Sequence, residues 1–236
     1  MNYLFYDLEC ANCRNKCAKI SSFGYVLTDE NFKIIKKENI LINPEAGFYF
    51  NDKETKKLVI SNPDNLEDYL KSPNYKEAYE KIKSIMSMKD TYYIGYGNDS
   101  DAYYFMESNK RYGLNNFNYR YIDLKDIFRF VFKDKPQIKR MNRISLASAA
   151  KWLYIEFNQK HDSLDDSFMT MKILRKTLNK AKNSFSELIT LANAVYHVND
   201  NNVYRIVNGE KTKIEKVIYP DMEEPEEEGY IDPQKR

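Results

Sequence analysis

The sequence predicts an α/β fold: a mixed sheet that opens as an antiparallel three-strand meander, continues as strand-helix alternation, and carries helices on both faces. Three observations point to it. Short apolar or alternating runs crowd the first 42 residues, segments of helical period alternate with short apolar runs from about residue 75 onward, and no internal repeat divides the chain. The 236 residues are 42% hydrophobic and 14% aromatic, which excludes a disordered chain and suffices for a full core.

Residues 2–8 (NYLFYDL), 19–27 (KISSFGYVL) and 33–42 (KIIKKENILI) read as the three strands, with the turn formers Asp29, Glu30 and Asn31 before the third. The stretch 44–72 is polar and ambiguous. A helix is expected over 75–88, a buried strand at Tyr92–Gly95, a helix over 101–111, a strand at 119–122 and a helix over 124–132. SLASAAKWL, 145–153, is a helix with Ser145 as N-cap; 163–180 is a longer one capped by Asp162 or Ser163; 184–197 is a further helix. VYRIV and KIEKVIY are strand-like.

This organisation divides the chain into a main unit at 1–182, a C-terminal extension at 183–220 and a tail at 221–236 with the charge and proline content of a disordered segment. The tail carries seven acids against Lys235 and Arg236, so the preceding 220 residues hold a net +7, a balance compatible with a polyanionic partner. The tail reads as an inert solubilising end, the other reading being a competitor for the basic surface. No apolar run approaches the roughly 20 residues of a membrane span, so no membrane partner is expected and the cytoplasm is the expected compartment. Cys10, Cys13 and Cys17 lie within eight residues, no disulfide framework for such a chain; a structural zinc wants four ligands, and they read as reduced loop thiols.

The chemistry gathers in three segments. Along the first strand Tyr3, Phe5, Asp7 and Glu9 share one face, so two acids end an apolar strand with Cβ atoms about 7 Å apart, within reach of one divalent cation. After TYYIGYG, Asp99 is placed for helix capping, whereas Asp101 lies one turn before Tyr104 and Phe105 and is favoured as the inward acid. In KHDSLDDSFMTMKIL, Asp165 shares an arc with Lys172 and Lys176, and Asp166 with Met169 and Ile173; Asp166 points inward and needs a partner there. His161 precedes that helix and can lean over the same site, whereas His197 has no acids around it. Asp123, after YRYI, is most simply an N-cap.

FYDLE, GNDSDAYYF and HDSLDD, in this order, resemble the three exonuclease motifs of the DnaQ-like DEDDh family within the ribonuclease H-like superfamily, and the likeness spans about residues 1–180, SLASAAKWL included. It implies a 3′→5′ exonuclease that releases nucleoside monophosphates from 3′ ends of single-stranded DNA or RNA. It further implies two Mg²⁺ or Mn²⁺ ions, one at Asp7, Glu9 and Asp166 and one at Asp7 and Asp101, with His161 as general base and Cys10, Ala11 and Asn98 at the substrate. The chain departs from the pattern in two places. Cys10 stands where many relatives have Thr, and Asn98 lies only three residues before Asp101 with Ser100 replacing an aromatic. The rival reading is a catalytically inactive nucleic-acid-binding or scaffolding module, against which the retained acids argue, because buried carboxylates repel one another without a cation.

Overall fold

The computed structural model describes residues 1–11, 19–46, 49–51, 58–60, 66–141, 144–156, 162–199 and 202–215. In chain order the strands β1 (Asn2–Ala11), β2 (Lys19–Asp29) and β3 (Ile34–Leu41) form the expected antiparallel meander. A short pair, β4 (Tyr49–Asn51) and β5 (Leu58–Ile60), and helix α1 (Leu66–Lys71) occupy the stretch the sequence left ambiguous. Then follow α2 (Tyr75–Ile85), β6 (Thr91–Gly95), α3 (Asp99–Tyr112), β7 (Tyr119–Asp123), α4 (Leu124–Val131), α5 (Pro136–Arg140), α6 (Leu146–Trp152), α7 (Ser163–Leu178), α8 (Phe185–Leu191), β8 (Val195–Asn199), β9 (Asn202–Val207) and β10 (Glu210–Lys213).

Eight strands make one mixed sheet in the order β10-β9-β8-β7-β6-β1-β2-β3. β1, β6 and β7 run parallel at its centre, and every other pairing is antiparallel. Two apolar layers cover it. Leu4, Tyr6 and Leu8 of β1 pack with Phe23 and Tyr25 of β2 under α2 and α3, whereas Tyr3 and Phe5 pack with Val26 under α4, α6, α7 and α8. The alternation along β1 therefore splits its residues between the two faces as expected.

Local chemistry sets the ends of the helices. Asn74 and Glu77 form a capping box at α2, Ser145 accepts from the Ser148 amide at α6, and Asp162, not Ser163, caps α7. The helix expected over 184–197 is shorter. It ends at Leu191, Asn193 takes the left-handed conformation at φ 49°, and Val195–Asn199 turns instead into a strand beside β7. An Asn just past a helix end is a stop signal, and the β-branched and aromatic residues after it favour the pleated surface that β7 offers. Of the second strand-like piece, KIEKVIY, Lys213 ends β10 (Glu210–Lys213), and the residues beyond Glu215 lie outside those described. Within the 183–220 read from sequence as an extension, β8, β9 and β10 thus continue the central sheet. No helix among the described residues is long and apolar enough to cross a membrane.

Candidate active site

Asp7 and Glu9 stand near the carboxyl end of β1 on the face that carries Tyr3 and Phe5, and the register of β1 against β2 shifts between Glu9 and Cys10. Opposite Asp7 in β2 is Gly24. A Cβ at Gly24 would lie 2.2 Å from backbone atoms of Ser163 and Leu164, so the missing side chain is what lets the first turn of α7 descend onto the sheet beside Asp7. Hydroxyls hold it down. Ser167 Oγ donates to the Gly24 carbonyl at 2.9 Å, Ser22 and Ser163 pair at 2.8 Å, and Ser163 Oγ donates to Asn39 Oδ1 at 3.0 Å. Asn39 Nδ2 donates in turn to Asp162 at 3.1 Å, and the other Asp162 oxygen accepts from the Leu164 and Asp165 amides.

With α7 so placed, Asp166 is half-buried and Asp165 exposed, as the helical phase predicts. Asp7, Glu9 and Asp166 each present a carboxylate oxygen within 4.8 Å of the others. Burial first, and then the charges of Asp101, Glu9, Asp166 and Asp162, push the Asp7 carboxyl well above its ordinary range. Three hard anionic donors that resist ionising together make a set that a divalent cation fits, since the cation supplies the missing positive charge and takes oxygen ligands by preference.

Asp101 reaches the site from the other face. It lies on α3, is 8% exposed, and stands outside the three-carboxylate group, although after burial its charge is the largest influence on Asp7. Asn98 Nδ2 donates to Asp101 Oδ2 at 2.7 Å and to the Tyr6 carbonyl at 3.2 Å, which ties the start of α3 to β1 directly before Asp7. The Asn98 side chain fills the space over Gly95, where a Cβ would meet it at 2.1 Å. Asp123 Oδ1 accepts from the Gly97 amide at 2.9 Å and from Lys125 N at 2.8 Å. Burial, followed by Asp99 and Asp123, pushes the Asp101 carboxyl up to about 8.

Asp123 is thus the expected N-cap, but it also anchors the turn that aims Asn98 and Asp101, a role that the sequence reading missed because Asp123 and Gly97 meet only in space. Asp99 belongs to the first turn of α3, and the N-cap position falls to Asn98, which makes no side-chain capping bond. Of the three residues expected at the substrate, Ala11 and Asn98 have enclosed side chains, and Asn98 spends its amide on Tyr6 and Asp101; Cys10 is half-buried against the core within β1 rather than in a loop. His161, Cys13 and Cys17 lie outside the described residues.

The family described as Exonuclease matches residues 4–174, a stretch that contains all four acids. The chain belongs to that exonuclease family. No curated protein matches it in sequence. Among solved structures, this exonuclease-family chain is similar to the nuclease domain of 3′hExo, a DEDDh family member, bound to rAMP, at TM-score 0.57 and 14% identity over 76% of this chain and 92% of that one. It is also similar to a 3′-exonuclease solved in recognition of the histone mRNA stem-loop (TM-score 0.60, 11% identity, 92% of this chain and 71% of that one). A third is E. coli exonuclease I in complex with a dA16 oligonucleotide (TM-score 0.58, 18% identity), of which the alignment spans 42% against 80% of this chain. At such identities the structures speak for the fold, and the fold is the ribonuclease H-like one of the DnaQ-like DEDDh exonucleases. The family's chemistry is nuclease action on nucleic acid, with divalent metal ions.

Proposed function

We propose that the chain is a divalent-metal-dependent 3′→5′ exonuclease that removes nucleoside monophosphates one at a time from single-stranded DNA or RNA. The observation that carries this reading is the meeting of Asp7, Glu9 and Asp166, from a strand and a helix far apart in sequence, within an exonuclease-family fold. Those three residues would hold one Mg²⁺ or Mn²⁺ ion, and Asp7 with Asp101 a second. When bound, such ions lower the pKa of a water and neutralise charge on the phosphoryl oxygens. His161, five residues before Asp166, takes the proton from the attacking water. Asn98 and Asp123 act through Asp101 by fixing the turn before α3. Cys10 and the backbone at Ala11 border the 3′ nucleotide.

The test is degradation of 5′-labelled and 3′-labelled single strands, DNA and RNA of equal sequence, with Mg²⁺ or Mn²⁺. The expected result is stepwise shortening of the 5′-labelled strand and immediate release of a labelled mononucleotide from the other. His161→Ala lowers kcat by about 10²- to 10⁴-fold, the usual range for losing a general base, and Asp7→Ala removes activity. Full activity in either variant overturns the mechanism, and a wild-type chain that binds both strands without cleaving them is the inactive binding module instead.

A further inference from the structure

The strands β8, β9 and β10 lie beyond the stretch matched by the exonuclease family, and they extend the sheet past β7. On the side where Ile122 of β7 joins the α7 layer, Arg120, His197, Tyr204, Ile206, Lys211 and Lys213 stay outside both apolar clusters. Register puts them side by side: Arg120 pairs with His197, His197 with Tyr204, Tyr204 with Lys213, and Ile206 with Lys211. The His197 and Tyr204 rings stack at 5.1 Å and 9°, and Lys211 Nζ lies 3.8 Å over the Tyr204 ring. Ile206 is 50% exposed. Alternation turns Glu210 to the opposite face, and among the described residues Glu215 pairs with Lys213 at 3.8 Å.

A guanidinium, an imidazole, a phenol and ammonium groups, all able to donate hydrogen bonds, therefore recur from strand to strand at the ~4.8 Å spacing of a sheet. An edge strand alone accounts for exposed lysines, which deter pairing with another chain. It does not account for the His197–Tyr204 stack one and two strands further in, for Arg120 three strands in, nor for a half-exposed isoleucine among them. One extended polyanion meets all of these donors in succession.

We propose that this face is a binding site for the phosphate backbone of single-stranded nucleic acid, engaging the strand upstream of the end being cut. This rests on the function proposed above. Arg120 stands level with Tyr3, four residues before Asp7, and Tyr204 lies four strands from β1, so strand geometry separates Tyr204 from Asp7 by on the order of 23 Å. At ~3.4 Å per stacked nucleotide, that distance takes about seven nucleotides. Strands much shorter than this reach the carboxylates without touching the platform.

The test compares the full chain with its Arg120→Ala/Lys211→Ala double variant, both positions being exposed. Binding of a 20-nucleotide oligothymidylate is followed by fluorescence anisotropy in EDTA across a salt series. The variant binds more weakly, and its log-affinity against log-salt slope is shallower by about 1.4, at ~0.7 per lost phosphate contact on a single strand. Hydrolysis of the p-nitrophenyl ester of thymidine 5′-monophosphate, too short to reach the platform, keeps its kcat/KM, and Lys211→Arg with Arg120 intact restores binding. An unchanged slope overturns the proposal, as does an equal loss on the short ester. A gain in affinity overturns it too, and assigns the face to the acidic segment 221–236 of the same chain. Failure of the wild-type chain to hydrolyse anything overturns the function above, while the binding arm, which needs no catalysis, still decides the platform.

Discussion

Asp165 and Asp166 are neighbours in sequence with opposite fates, because 100° of helical rotation sends one to water and the other to Asp7 and Glu9. Replacing the exposed acid should do little: Asp165→Ala is expected to hold stability within about 0.5 kcal/mol and activity near wild type, whereas Asp166→Ala loses activity. Thermal melts and the labelled-strand assay check both. Asn98 works through others. Its single amide nitrogen steadies both the Asp101 carboxylate and the Tyr6 carbonyl, so Asn98→Ala should raise the Mg²⁺ or Mn²⁺ concentration for half-maximal activity by about 10- to 100-fold, the usual penalty for losing a residue behind a metal ligand. A metal titration curve that does not move would show that Asp101 needs no such support.

At the scale of elements, the site depends on how closely α7 approaches β2. Gly24 faces the Ser163–Leu164 peptide with no room for a methyl group, and the obstruction is backbone rather than the tip of a side chain. Gly24→Ala must therefore push the start of α7 away, at a cost of about 1–3 kcal/mol or more, and Asp166 moves with the helix. Denaturant unfolding is expected to show the loss of stability, and the nuclease assay a loss larger than the remaining folded fraction explains. Equal activity per folded molecule would mean that the carboxylates tolerate a looser α7. The turn between β6 and α3 is built the same way, with Gly95 making room for Asn98 and Asp123 holding Gly97.

For the whole molecule, the crowding of acids couples folding to pH and to metal. Asp101 is pushed up to about 8 from an ordinary 3.8 and Asp7 is raised well above its own. A carboxyl raised on folding contributes stability that is fully present below its unfolded value, near 4, and is lost as pH rises through its folded value. The metal-free chain should accordingly lose thermal stability progressively between about pH 4 and pH 8. A divalent ion takes the ionised carboxylates, so the rise in Tm on adding Mg²⁺ should be larger at pH 8.5 than at pH 6. Melts in EDTA and in Mg²⁺ at several pH values test this; a Tm gain as large at pH 6 as at pH 8.5 would exclude the linkage.

What the sequence alone determined was whatever depends on a local period or a local cap. The meander strands, the inward phase of Asp166, the shared face of Asp7 and Glu9, and the caps at Ser145 and Asp123 are all set by residues within a few positions of one another. Motif resemblance supplied the family in the same way, as short strings in order. The tertiary structure decided what depends on a partner remote in the chain. It turned residues 195–197, the end of the expected helix, into part of the strand Val195–Asn199, because β7 offered that segment an unpaired edge. It held Asp101 outside the three-carboxylate group on a helix across the sheet, enclosed Asn98 behind it, and gave Asp123 a second task at Gly97. Contacts of that kind carry no period to read, since burial and pairing are set by which surfaces meet once the chain has folded.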